Sequence, residues 1–82
     1  MSERLQMQGR LSELEEEAYS LRMKIEAACR TIRAELNTTL REIEDLDIPM
    51  AAQQMRELET AFVRLQGLLS KIKQIRLELG RG

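Results

Sequence analysis

Histidine and tryptophan are absent from this chain, and cysteine, proline, tyrosine and phenylalanine each occur only once. Without histidine, the usual activating base for a nucleophile is missing, so we expect Cys29 to be a small buried apolar residue. A single cysteine also excludes an intramolecular disulfide and favours a cytosolic setting. With so few rings, the core must be built from leucine, isoleucine, methionine and alanine.

Several signals of catalysis and targeting are also missing. No apolar run approaches the ~20 residues that span a bilayer, and residues 1–6 lack the apolar core of a signal peptide. The formal net charge is −1, so no overall field attracts nucleic acid or an anionic membrane. Glycine-rich phosphate loops, metal-ligand spacings and catalytic triads are absent. We therefore expect a cytoplasmic, non-enzymatic protein with no cofactor, no metal, and neither nucleic acid nor membrane as a partner.

The spacing of the apolar residues carries most of the information in this sequence. Steps of four and three keep side chains on one stripe of an α-helix. The first such run consists of Met7, Leu11, Leu14, Ala18, Leu21, Ile25, Ala28 and Ile32. The second run consists of Ala51, Met55, Leu58, Phe62, Leu65, Leu69, Ile72 and Leu79. The only proline, Pro49, lies between the runs, so the pattern predicts an all-α fold, an antiparallel helical hairpin of two long helices.

The hairpin is predicted to form one domain over residues 1–82, with helix 1 at about 3–46, a turn at 47–49 and helix 2 at about 50–79. Ile48 should leave the helix because it precedes proline, and Asp47 should cap helix 2. After Ile32 the apolar residues come at successive steps of four, which locally unwinds a left-handed coil. Residues 37–39 also have poor helix propensity. A break of helix 1 near Asn37 is therefore the main alternative.

These boundaries predict self-association. A helix 1 of about 44 residues would outreach a helix 2 of about 30, leaving its first dozen residues without a partner in their own chain. Helix 2 also carries a second, offset stripe, made of Ala61, Leu65, Leu68, Ile72, Ile75 and Leu79. We expect a homodimer forming a four-helix bundle, or a larger ring. A monomeric hairpin with an exposed apolar face is the alternative. The predicted interface consists of Leu5, Met7, Leu11, Ala61, Leu68 and Ile75.

Two sets of charged residues have competing interpretations. The acidic run at Glu13, Glu15, Glu16 and Glu17 fits pairing with Arg76 and Arg81 across the hairpin better than a cation site, because consecutive helical residues diverge. The second set consists of arginines of helix 1. Arg30 and Arg41 are about three helical turns apart and should share a face, and guanidinium groups suit phosphate oxygens. Ordinary ion pairing on a solvated helix is the alternative. The candidate phosphate ligands are Arg30, Arg33, Asn37, Thr38 and Arg41.

Several segments resemble the small coiled-coil accessory proteins from the early region of Mu-like bacteriophages and related prophages. They are Ile32-Arg33-Ala34-Glu35-Leu36-Asn37, Ile43-Glu44-Asp45-Leu46-Asp47, Ala51-Ala52 and Met55-Arg56-Glu57-Leu58. The resemblance implies a protein that binds and neutralises a host component, such as part of an antiviral defence. It also admits a second role, a sponge that sequesters a phosphate-bearing small molecule such as a cyclic nucleotide immune signal. A structural coiled-coil adaptor is the third hypothesis.

Overall fold

The computed structural model describes residues 2–81. It contains two long helices, α1 (Glu3–Glu35) and α2 (Ile48–Arg81). They are joined by a connector, residues 36–47, which includes a single 3₁₀ turn at Ile43–Asp45. No strand occurs among the described residues. The predicted all-α helical hairpin is therefore confirmed, whereas assembly of several copies stays a prediction.

Helix α1 ends at Glu35, well before the predicted end at residue 46. Beyond it the Asn37 side chain folds back, and its Oδ1 accepts a hydrogen bond from the Thr39 amide at 2.9 Å. Asparagine turns of this kind compete with helical hydrogen bonds, and two threonines add poor helix propensity. The prediction of a continuous helix is therefore wrong, and the alternative break near Asn37 is correct.

Helix α2 begins at Ile48, two residues earlier than predicted. Asp47 caps it, because its Oδ1 accepts a hydrogen bond from the Met50 amide at 3.0 Å and its carbonyl oxygen accepts one from Ala51. Pro49 lies in the first turn, where its missing N–H would have had no helical partner. The predicted cap is confirmed, but Ile48 belongs to the helix.

The two helices have nearly equal lengths of 33 and 34 residues, which correspond to about 50 Å each. At the open end of the hairpin, Arg4 Nη1 donates a hydrogen bond to the carbonyl oxygen of Leu79 at 2.9 Å. The start of α1 therefore has a partner in its own chain. The predicted overhang of the first dozen residues is wrong, because it required a helix 1 that reached residue 46.

The helices meet along a seam of heptad-spaced side chains that are buried or half-buried. From α1 these are Met7, Leu11, Leu14, Ala18, Leu21, Ile25, Ala28 and Ile32. From α2 they are Ala51, Gln54, Leu58, Ala61, Leu65, Leu68, Ile72, Ile75 and Leu79. The most buried members form one core cluster, Leu14, Ala18, Leu21, Leu65, Leu68 and Ile72. Steps of three and four alternate along the α2 stripe, as the seam of a coiled coil requires.

The α2 stripe in the seam is therefore the one predicted as the offset stripe. Met55 and Phe62, which were expected in the main seam, have more than half of their surface exposed. Leu65 and Ile72 belong to both stripes and are buried in the seam. The assignment failed because both stripes of α2 are apolar, so hydrophobicity alone does not decide which one faces α1.

The hairpin is a rod of 62 × 17 × 15 Å with a thin interior. Its radius of gyration of 18.5 Å compares with about 12 Å for a compact domain of this length. Its surface of 6488 Å² is roughly 30% larger than the ~5,000 Å² of a compact monomer of this mass. No polar or charged side chain is buried in the described part of the chain. Two helices alone thus leave much of their surface in water.

Candidate functional site

One side of the seam is charged. This charged flank consists of Arg10, Glu17 and Lys24 from α1 and Glu57, Arg64 and Lys71 from α2. Each of them lies one position before a seam residue, which places all six on the same side of an antiparallel pair. The Arg64 guanidinium donates hydrogen bonds to the Glu17 carboxylate. Mixed charges along this flank keep it solvated.

The opposite side of the seam is apolar along much of α2. We call this row the apolar stripe; it consists of Ile48, Met55, Phe62 and Leu69, each seven residues after the last. The first three side chains are 54%, 56% and 51% exposed. Leu69 is half-buried and packs against the core cluster. A helix whose apolar surface extends beyond its seam in this way is typical of bundles in which each helix has more than one neighbour.

The facing positions of α1 change character along the hairpin. Near the connector they hold Cys29, which is half-buried, and the series continues to Leu36, the first connector residue, which is 43% exposed. Halfway along they hold Arg22, which is exposed, and toward the open end Glu15, whose Oε1 accepts a hydrogen bond from Arg76 Nη2 at 2.8 Å. The apolar stripe is therefore bounded by an ion pair at one end and by the connector at the other. The predicted pairing of the acidic run with Arg76 is confirmed, whereas the Arg81 side chain lies outside the described residues.

Most of the predicted oligomer interface is already occupied inside the hairpin. Leu68, at 6% exposure, belongs to the core cluster, so its assignment to an interface between copies is wrong. Leu11, Ala61 and Ile75 pack against the same cluster and are half-buried, as is Met7. The α2 residues were misassigned because the seam uses the stripe that was predicted to be free, and Met7 and Leu11 because helix 1 was predicted to extend beyond its partner. Of the predicted interface residues, only Leu5, which is 66% exposed, remains available to a second copy.

The predicted phosphate ligands do not share a helical face, because α1 ends before Arg41 is reached. Arg30 lies 3.8 Å from the Glu26 carboxylate, and Arg33 Nε donates to the carbonyl oxygen of Cys29 at 3.4 Å. Arg41 Nη1 pairs with Glu35 Oε2 at 3.2 Å. The geometric premise of the phosphate site is therefore wrong, and the alternative of ordinary ion pairing describes Arg30 and Arg41.

Two of the predicted ligands do come together in the connector. Thr38 and Arg41 line a shallow depression, while the Asn37 side chain is occupied by its own turn. Glu42 and Asp45 line the same depression and bring two carboxylates beside the one guanidinium. Such a lining opposes a phosphate group, because like charges repel across a short distance.

We expect no change in melting temperature when micromolar nucleotides or cyclic dinucleotides are added. The reason is that Arg41 already pairs with Glu35 and has further carboxylates nearby. Differential scanning fluorimetry with a broad ligand panel provides the measurement, and Arg41→Ala provides the matched control. A large upward shift that disappears in Arg41→Ala or Arg33→Ala would contradict this expectation and restore the sponge hypothesis.

The remaining polar groups assemble no further site in the described residues. No three of their cysteine, aspartate and glutamate side chains are placed to hold a metal ion. None of the helices in this part of the chain is long and apolar enough to cross a membrane.

Comparison with known proteins adds no identification. No protein-family model, curated protein or solved structure matches this chain. The apolar stripe is the feature that sequence reasoning missed as a surface, since Met55, Phe62 and Leu69 were placed in the seam and Ile48 in the turn. Its signal in the sequence was the occurrence of small residues such as Ala61 at positions that proved to lie in the seam.

Proposed function

We propose that this protein is a non-enzymatic interaction module that assembles with itself through the apolar stripe. In the phage-type role suggested by its resemblance to Mu-like accessory proteins, the assembly would bind and inhibit a host component in the cytoplasm. The observation that carries the proposal is the stripe itself, a row of large side chains on a well-formed helix, half in water.

The physical support lies in the cost of leaving such a row exposed. Burial of apolar surface contributes about 25 cal/mol per Å², and monomeric proteins rarely keep large contiguous apolar patches in water. On the other side of the seam, the charged flank shows that positions bordering the seam can be occupied by well-solvated charged residues. The contrast between the two flanks therefore favours a function for the apolar one.

Self-assembly is tested by multi-angle light scattering at about micromolar to 100 µM protein, a range that covers weak homodimers. We expect a mass of at least twice the 9.5 kDa of the chain. Phe62→Glu should return the protein to the monomeric mass, because it places a charge in the middle of the stripe. Val63→Glu is the matched control: Val63 is adjacent and 65% exposed, but lies outside the stripe. A monomeric wild type, or equal effects of the two variants, would sink the self-assembly proposal.

The host-binding part of the proposal needs a separate readout. A tagged wild-type protein expressed in bacterial cells should retain one dominant partner protein, and the purified partner should rebind the purified module. Val63→Glu should retain that partner as well as the wild type does. If the module assembles but retains no protein at a stoichiometric level, the structural adaptor hypothesis gains and the inhibitor hypothesis is lost.

A further inference from the structure

We infer that a second copy of this chain covers the apolar stripe, with the two α2 helices running antiparallel about a two-fold axis midway between Met55 and Phe62. This inference rests on the proposed self-assembly and specifies its geometry. Three observations support it: the spacing of the stripe, the distribution of charge along the chain, and the surface area of the hairpin.

The spacing of the stripe is symmetric about its own midpoint. Its four members are equally spaced by seven residues, so an antiparallel second copy brings Ile48 opposite Leu69 of that copy and Met55 opposite its Phe62. Every stripe residue then has an apolar partner. Residues seven apart also stay on one side of a helix with a drift of only about 20°, so the contact can continue over about 32 Å.

The charges at the two ends of the stripe are opposite in sign. Beyond Ile48 lies the connector, which carries Glu42, Glu44, Asp45 and Asp47 against a single arginine. Toward Leu69 and beyond lies the segment 60–77, which contains four basic residues and no acidic one. Two of these, Arg64 and Arg76, have ion-pair partners in their own hairpin, but Lys73 has none in the described part of the chain.

Antiparallel pairing brings these opposite charges together, whereas parallel pairing brings like charges together. In the antiparallel arrangement the acidic connector of each copy lies beside the basic segment of the other, close to Lys73. In a parallel arrangement, connector would face connector and basic segment would face basic segment. Complementary charges at the ends of an apolar contact fix its orientation by opposing the alternative.

The area available also suits a second copy. The hairpin exposes about 1,400 Å² more surface than a compact monomer of its mass, and a standard interface buries about 800 Å² on each partner. A two-fold axis makes the interface from the same surface of both copies, so the stripe needs no other protein to complete it. The product is a four-helix arrangement with both seams intact.

One charge opposes the arrangement and marks its axis. Glu59 lies three residues before Phe62 and four after Met55, on the outer edge of the stripe at the level of the axis. It would therefore approach Glu59 of the second copy, as it also would in a parallel pairing of the same faces, so its effect reports on the contact and not on the orientation. We expect Glu59→Gln to tighten the dimer about twofold, which is the size of effect that relief of one exposed like-charge contact gives.

The register is tested by cysteine pairing in a Cys29→Ser background, after light scattering has established that this background keeps the assembled mass. Ile48→Cys and Leu69→Cys proteins are oxidised separately and as a mixture, and the covalent dimers are separated on a non-reducing gel. We expect covalent dimer to form mainly in the mixture and little in either separate sample, because only antiparallel pairing brings residue 48 of one copy close to residue 69 of the other. Disulfides require Cα atoms within about 7 Å, so the assay reads proximity directly.

The outcomes distinguish the register from the assembly. Efficient self-linking of Ile48→Cys would establish parallel pairing and overturn the register while leaving self-assembly intact. A dimeric mass without covalent dimers in any sample would show that another face joins the copies, and would also overturn the inference. A monomeric mass at every concentration would defeat both proposals and assign the stripe to a different protein.

Discussion

Replacing Leu68 with alanine should leave most of the chain unfolded at 25 °C. Leu68 is only 6% exposed and belongs to the six-residue core cluster. Truncating a buried leucine to alanine costs about 2–5 kcal/mol, and a core of this size rarely supplies more than about 3–5 kcal/mol of net stability. The loss is thus comparable with the whole stability of the hairpin.

Far-ultraviolet circular dichroism, followed through a urea titration at low micromolar protein, measures this loss. The matched control is Leu77→Ala, which makes the same change on the same helix at a side chain that is 53% exposed. We expect the control to lie within about 0.5 kcal/mol of the wild type, as surface substitutions usually do. If the two variants unfolded at the same urea concentration, Leu68 would not face α1, and the seam would have to be formed by the other stripe.

Replacing Gly9 and Gly67 with alanine should have the opposite effect. Both glycines lie inside helices, and a Cβ added at either would meet no atom within 4 Å. Glycine in a helix interior costs about 1 kcal/mol relative to alanine, so the double variant should gain about 2 kcal/mol. At about 4–8 °C per kcal/mol for a domain of this size, the melting temperature should rise by roughly 8–16 °C.

Thermal unfolding of the single and double variants tests additivity as well as sign. Gly80→Ala serves as the control, because Gly80 lies in the last turn of α2, where the helix contributes less to the cooperative unit. We expect a smaller shift there. A double variant that melted at the wild-type temperature would mean that the helices are not the limiting element of stability.

The sequence was sufficient for helix α1 up to Ile32, because steps of three and four occur there without interruption and each position has one interpretation. It was misleading just beyond, since Leu36, Leu40 and Ile43 continue an apolar pattern that a helix could use. What ends the helix is local: the hydrogen bond from the Thr39 amide to the Asn37 side chain. The spacing of apolar residues carries no information about such a bond, whereas the poor helix propensity of residues 37–39 did indicate a break there.

The candidate site was harder to predict, because it depends on which of two apolar stripes of α2 is left over. Leu68 and Leu69 are neighbours of identical chemistry, yet one is buried in the core and the other borders it. The choice is made by the fit of small and large side chains across the seam, which requires the partner helix to be known. The predicted phosphate site failed for a related reason, since it assumed that α1 continues past Arg41, whereas α1 ends at Glu35.

The absence of buried polar groups from the seam has a consequence for motion along the helix axes. A polar side chain buried in a heptad seam fixes the alignment of two helices, but in the described parts of α1 and α2 the polar seam residue Gln54 is only half-buried. Sliding one helix past the other by seven residues, about 10 Å, would again bring heptad positions together, and a twelve-residue connector is long enough to follow. Alignment therefore depends on matching volumes around Ala18, the most buried side chain of the core at 1% exposure, and on the ion pairs of Arg64 with Glu17 and of Arg76 with Glu15. A bulky residue at position 18 would oppose this alignment, and sliding to relieve it would break both ion pairs.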